Sequence, residues 1–209
     1  MAKKVIITIA RQYGSGGREI GEKVAEILGI PIYDKEIITA AAQKGNLNEE
    51  VLKGADESAA NSLLYTLAMG SNVIGTTMHF GYKMPINDKL FILQSEIMKE
   101  YAEKGSCVVI GRCSDHVLRE VDGIFRLFIY GDLEHRKARV AERHPEIKSS
   151  QIVDVINKTD RRRASYYNFY TGNKWGKYDN YDMAINSSTL GIDGTAQLIA
   201  ASAKKLMEE

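Results

Sequence analysis

The chain has 209 residues, 44% hydrophobic and 26% charged, a length and balance that suit one sizeable core in a single domain with a mobile insertion. A formal charge of +1 excludes the broad basic excess of a general nucleic-acid binder, so any anion recognition has to be local. No apolar run is long enough to span a bilayer and no signal-like region opens the chain. With only two cysteines, Cys107 and Cys113, the expected setting is reducing and cytoplasmic, with no membrane partner.

The first apolar run, Val5 to Ala10, reads as a buried strand, and Thr8 to Gly21 (TIARQYGSGGREIG) carries it through a glycine-rich turn into a helical pattern. This is the layout of a phosphate-binding loop: Gly14, Ser15, Gly16 and Gly17 let backbone N–H groups face a polyphosphate, and the helix N-terminus adds partial positive charge. The pattern G-x-x-x-x-G-K-[ST] also asks for a lysine and a hydroxyl, and neither is present. Two registers are open. With Gly16 as the last loop glycine, Gly17 stands at the lysine position and Arg18 at the hydroxyl; with Gly17 last, Arg18 takes the lysine position and Glu19 the metal position. Arginine offers a fixed bidentate charge, and a carboxylate at Glu19 suits Mg²⁺.

Further apolar runs follow at Ile30 to Tyr33, Cys107 to Ile110, Ile124 to Tyr130 and Met183 to Ile185, separated by helical spacing. Five buried strands of this kind predict an α/β fold with a parallel sheet and helices on both faces. The helix faces are read from Ile20, Val24, Ile27 and Leu28, from Leu90, Leu93, Ile97, Met98 and Tyr101, and from Ala196, Leu198, Ile199 and Leu206. Lys35 to Lys89 is too long for one crossover helix and reads as a mostly helical insertion, with breaks near Gly45, Gly70 to Asn72, Gly75 and Gly81 to Pro85. Cys107 falls inside a strand, so the cysteines read as small core residues.

In an open parallel sheet, ligands sit beyond the carboxyl ends of the strands. That rule selects Arg11 to Arg18, Asp34, Gly111 to Asp115 and Asn186 to Ser188. Arg112, just past the third strand, suits an acceptor phosphate, and Asp115 suits Mg²⁺ held through water. Asp34 either caps the helix from Lys35 or orients the acceptor. Lys158 to Arg163 (KTDRRR) is a charged helical segment in which Asp160 and Arg163 share a face while Arg161 and Arg162 diverge. Such arginines stabilise the charge of a transferring phosphoryl group when a lid closes. Beyond them YYNFYTGNKWGKYDNY, Tyr166 to Tyr181, reads as packing for a loop or an interface, with base stacking the lesser use. His79, His116, His135 and His144 share no spacing and receive no role.

Together ITIARQYGSGGREIGEKVAEILGIPIYDKEII, CVVIGRCSDHVL, FIYGDLEHRKARV and KTDRRRASYYNFYTGNKWGKYDNYDMAINSS resemble the cytidylate kinase-like proteins, a branch of the P-loop nucleoside monophosphate kinases. The resemblance runs over most of the chain, least surely over Lys44 to Lys89. It implies a three-layer α/β/α P-loop fold with a core over about 1–34 and 90–209, an acceptor-binding insertion over about 35–89 and a lid over about 143–180. It places Gly14 to Arg18 at the donor phosphates and Arg112 at the acceptor phosphate, with Arg136, Arg139, Asp160 and Arg163 in or beside the lid. True cytidylate kinases also keep the loop lysine and a D-x-x-D-S-x-R-like lid segment, which KTDRRRAS matches in part.

The expected function is therefore an ATP- and Mg²⁺-dependent phosphotransferase acting on CMP, dCMP or a similar small acceptor. Arg18, Asp34, Arg112 and Arg163 are its candidate catalytic groups. Asp34, Arg112, Asp115, Asp160 and Arg163 would bind the acceptor, and Glu19 and Asp115 the metal. The alternatives are a nucleotide- or phosphometabolite-binding regulatory protein without transfer, and a scaffold whose tyrosine and tryptophan segment self-associates, as in a homodimer.

Overall fold

The computed structural model of the protein describes residues 3–46 and 86–208. In chain order the elements are β1 (Ile6–Arg11), α1 (Gly17–Leu28), β2 (Ile32–Tyr33), α2 (Lys35–Gly45), α3 (Ile86–Glu103), β3 (Cys107–Ile110), α4 (Ser114–Val117), β4 (Ile124–Tyr130), α5 (Leu133–Arg143), α6 (Ile152–Thr171), β5 (Met183–Asn186) and α7 (Ser187–Glu208), the last kinked at Gly191. The five strands form one parallel sheet in the order β2-β3-β1-β4-β5.

Because β1 lies at the centre and is covered on both faces, Ile6, Ile7 and Ile9 are all fully buried, and its sequence shows a continuous apolar run instead of alternation. The pleat nevertheless divides these residues between two cores. Ile7, Ile9, Val108, Ile110 and Leu127 pack on one side with Ile20 and Val24 of α1 and Ala196 and Ile199 of α7. Ile6, Cys107 and Val109 face the other side with Ile37 of α2 and Ile97 and Met98 of α3. Each buried isoleucine of this kind contributes about 1.5–3 kcal/mol from apolar area removed from water. This three-layer α/β/α arrangement is the fold expected from the sequence.

Three local readings differ from the structure. The second strand is shorter than its apolar run, because the Ile30 N–H donates to the Ala25 carbonyl (3.0 Å) to close α1, and Pro31 has no N–H to give a ladder. Ile27, Leu198 and Leu206 lie at the margins of their helices' apolar stripes, where they are exposed rather than buried. The break near Gly45 is the end of α2, with Asn46 left-handed after it; the other predicted breaks lie outside the described residues. Both cysteines are free and buried, and burial pushes the Cys107 thiol up to about 11.

All strand carboxyl ends point the same way, so the segments after β1, β2, β3 and β5 converge on one rim. Helices α5 and α6 pack on each other there through Val140, Ile152 and Ile156, with Tyr13 of the glycine loop against them. No described helix is long and apolar enough to cross a membrane.

Candidate functional site

The glycine loop leaves β1 at Arg11 and is held at both ends. Gln12 donates its N–H to the Ile129 carbonyl (2.9 Å), and its side-chain oxygen accepts the Gly131 N–H (3.2 Å), so the loop starts from the rigid end of β4. Ser187 Oγ sits 2.7 Å from the Ser15 carbonyl oxygen and 2.9 Å from that of Tyr130, linking the loop to the start of α7. Gly16 is left-handed (φ 80°) and α1 opens directly after it at Gly17. That helix start agrees with the register in which Gly16 is the last loop glycine and Gly17 occupies the lysine position.

Helix α6 grips the loop from above. Asp160 accepts the Tyr13 N–H at 2.7 Å through one carboxylate oxygen and the Arg136 guanidinium at 2.7 Å through the other, while Arg136 also donates to the Tyr13 carbonyl (3.2 Å). One turn along, Arg163 donates to the Arg11 carbonyl (3.0 Å) and lies 5.8 Å from the Tyr13 ring centre. The shared face expected for Asp160 and Arg163 is therefore the face that meets the loop. Arg161, Arg162 and Lys158 are exposed; Arg162, expected to diverge from that face, nevertheless lines the same cleft as Arg163, because the cleft extends along the outer side of the helix.

Glu19, in the first turn of α1, is ion-paired with Arg139 and Arg143, one turn apart on α5. Arg18 is half exposed and divides its charge between Glu22 (3.1 Å) and Asp34 (3.2 Å). Of the two roles open to Asp34, the cap is unmade. Its side chain bonds no helix N–H, and its carboxylate lies between Arg18 and the buried Arg112, whose Nη2 is 3.6 Å away. Glu36 instead accepts the Asp34 N–H (3.0 Å), and that bond holds its carboxyl below the usual range.

Arg112 owes its place to a turn in which Gly111, Arg112 and Cys113 are all left-handed (φ 68°, 56° and 56°). For the two residues with side chains this stores about 1–3 kcal/mol each, a strain tolerated where surrounding contacts over-determine the backbone. Here those contacts are the Gly111 N–H to Ile9 carbonyl (3.0 Å), the Ser114 N–H to Gly111 carbonyl (3.0 Å) and the Arg112 Nε–H to Asp34 carbonyl (3.2 Å).

These residues enclose a cavity of about 360 Å³. Its lining holds the loop glycines, Arg11, Arg18, Lys35, Arg112, Arg139, Arg143, Arg162 and Arg163, against Glu19 and Asp34 as the carboxylates. A chain near neutrality thus concentrates positive charge in one cleft, as anion recognition requires. A smaller cavity adjoins it, lined by Arg11, Gly111, Arg112, Asp115, Arg163 and the rings of Tyr166, Tyr167 and Trp175. Asp115 faces this second space. It is buried and accepts the Tyr167 hydroxyl at 2.7 Å, and burial pushes its carboxyl above the usual range. The aromatic segment packs within the chain: Tyr170 stacks on Phe91 (centroids 4.1 Å apart), and Trp175 meets Phe128 edge-on (5.2 Å).

The cavity is lined by Gly14, Gly16, Gly17, Arg18, Glu19, Asp34, Arg112 and Arg163, whereas Ser15 is buried with its Oγ donating to the Gln12 carbonyl (2.9 Å); Asp160 acts on the loop backbone, and Asp115 lies in the smaller space. Sequence reading passed over Arg143, whose signal is its spacing from Arg139 on one helix face, and it gave Arg11 no role of its own.

Comparison with known proteins bears on the fold and the family. A solved but uncharacterized protein from Eubacterium ventriosum ATCC 27560 superposes with a TM-score of 0.69 at 25% identity, over 96% of this chain and 98% of its own. A gluconokinase from Sinorhizobium meliloti 1021 (TM-score 0.55, 14% identity, 100% of this chain and 96% of that one) shares the fold. So does a shikimate kinase from Bacteroides thetaiotaomicron (0.52, 12%, 99% and 100%). No curated protein matches the sequence. The model of the cytidylate kinase-like family matches residues 6–189, and the chain accordingly belongs to the cytidylate kinase-like family.

Proposed function

We propose that the protein is an ATP-dependent phosphotransferase that moves the γ-phosphoryl group to a small phosphorylated acceptor, with nucleoside monophosphates such as CMP and dCMP as the first candidates. The observation that carries this reading is the cavity itself, where a glycine loop at a helix N-terminus and the strained, buried Arg112 face one arginine-rich space. Family membership supports a kinase activity; the choice of acceptor rests on the proposal.

Phosphoryl transfer breaks the bond between the γ-phosphorus and its bridging oxygen and forms one to an acceptor oxygen, releasing ADP. It needs positioning and charge stabilisation more than covalent chemistry. In this reading the loop amides from Gly14 to Arg18 hold the donor phosphates, and Arg112, oriented by Asp34, holds the acceptor phosphate. Asp160 fixes the loop backbone, and the α6 arginines Arg162 and Arg163 close over the transferring group and exclude water.

Magnesium binds through one or two carboxylates together with substrate phosphates. The cavity's carboxylates are Glu19, in the first turn of the helix after the loop, and Asp34; these would hold an ion carried in by the nucleotide in exchange for their arginine partners. When bound, the ion would neutralise the β- and γ-oxygens. Asp115 suits that task less, since it accepts the Tyr167 hydroxyl in a buried setting that favours its protonated form.

The test is ADP formation from Mg·ATP across a panel of nucleoside monophosphates. Acceptor-dependent turnover supports the reading; ATP binding without turnover on any acceptor favours a binding protein instead.

A further inference from the structure

The loop lacks its lysine, yet the space that a lysine stem would use is filled. A Cβ added at Gly17 would lie 2.6 Å from Arg11 Cβ and 3.1 Å from Arg11 Cγ, with Ile129 Cβ at 3.3 Å. In the register set by the helix start, Gly16 ends the loop and Gly17 holds the lysine position, so the first glycine of G-x-x-x-x-G-K falls on Arg11. Glycine and cation have changed places across the loop. The standard motif keeps its first position bare and projects the cation from the helix. This chain keeps the helix position bare and carries the cation at the strand end.

We propose that Arg11 supplies, from the end of β1, the positive charge on the β- and γ-phosphates that the loop lysine supplies in the standard motif. The inference rests on the reading of the cavity as a nucleoside triphosphate site. Arg11, Arg112 and Arg163 line both cavities, and the larger one also holds the loop glycines, so Arg11 stands beside the loop and beside the proposed acceptor arginine at once. Arg18 is turned to Asp34 and Glu22. The position of Arg11 is rigid: its residue pairs with Ile129 in the sheet, and its carbonyl accepts the Arg163 guanidinium at 3.0 Å. An arginine there also offers a bidentate fork to phosphate, which a lysine does not.

The experiment is equilibrium binding of ATP, ADP and AMP to the full-length chain and to Arg11→Ala, Arg11→Lys, Arg11→Gly and the exchange variant Arg11→Gly with Gly17→Lys. Circular dichroism confirms folding of each. Arg11→Ala is expected to weaken ATP by about tenfold or more, the loss of one charge-assisted contact, with a smaller effect on ADP and none on AMP. Arg11→Lys retains part of the ATP affinity, and the exchange variant recovers affinity that Arg11→Gly loses. The inference is overturned if folded Arg11→Ala binds ATP as the wild type does, or if all three nucleotides weaken alike, which marks a merely structural role. A folded wild type that binds no triphosphate overturns the underlying reading as well, and the wild-type titration alone separates the two failures.

Discussion

The carboxylate of Asp160 accepts the backbone N–H of Tyr13 at 2.7 Å, so a side chain of α6 helps set the shape of a loop far away in sequence. The same carboxylate neutralises Arg136, whose side chain is 9% exposed. Replacing Asp160 by alanine leaves an N–H without its acceptor and a largely buried guanidinium without its counter-charge, a change expected to cost about 2–4 kcal/mol. Urea unfolding should show that loss, and nucleotide affinity should fall with it. Asp160→Asn should recover much of the Tyr13 bond but little of the pairing with Arg136.

Asp115 gives a pH signature. Its carboxyl is raised in the folded state, chiefly by burial, above a value near 3.8 when unfolded. The folded chain therefore holds this proton more tightly. The stability that this contributes is fully present below the unfolded value and is lost as pH rises through the folded one. Asp115→Asn cannot titrate. Wild-type stability relative to this variant should fall as pH rises above about 4, measured as the difference between their urea unfolding free energies. A difference that rises with pH there would contradict the assignment.

Cys107 is fully buried with its thiol pushed up to about 11, and Cys113 is buried beneath Tyr166 and Tyr167. Since the thiolate is the reactive species, Cys107 should not react with a thiol reagent at pH 8 in the native protein, and burial alone should shield Cys113. Both should react promptly in denaturant. Rapid modification of either under native conditions would contradict the packing described.

The strands were legible because a buried parallel sheet writes itself as continuous apolar runs, and β3 and β4 fall on the predicted residues. The end of the second run was not, since the Ile30 N–H serves a helix terminus, a use that hydrophobicity does not encode. That the glycine loop, Arg112 and Asp34 meet at one cavity was legible from their place after strands. The engagement of Glu19 by Arg139 and Arg143 was not, because it depends on where α5 lands. Arg11 was passed over for a related reason. A motif template asks what replaces lysine near the helix start, whereas here the space beside Gly17 is filled from the strand.

Glu19 separates a structural from a metal role. Its pair with Arg143, whose side chain is 55% exposed, contributes at most about 1 kcal/mol, whereas its pair with Arg139, 15% exposed, is better shielded from water. Glu19→Gln keeps an acceptor for both arginines and should lower urea stability by about 1–2 kcal/mol. In the proposed kinase it should raise the Mg²⁺ concentration needed for half-maximal ADP formation. Equal Mg²⁺ dependence in variant and wild type would remove Glu19 from the metal's surroundings.

ADP formation from Mg·ATP, measured with and without each nucleoside monophosphate, for the wild type beside Arg112→Ala, is the measurement that decides the proposed phosphoryl transfer. Turnover in the wild type should depend on the acceptor. Removal of Arg112 should lower kcat/KM for that acceptor by about 100-fold or more, the scale for a charge-assisted contact to a reacting phosphate. A folded wild type that binds ATP yet forms no ADP with any phosphorylated acceptor would contradict the proposed transfer.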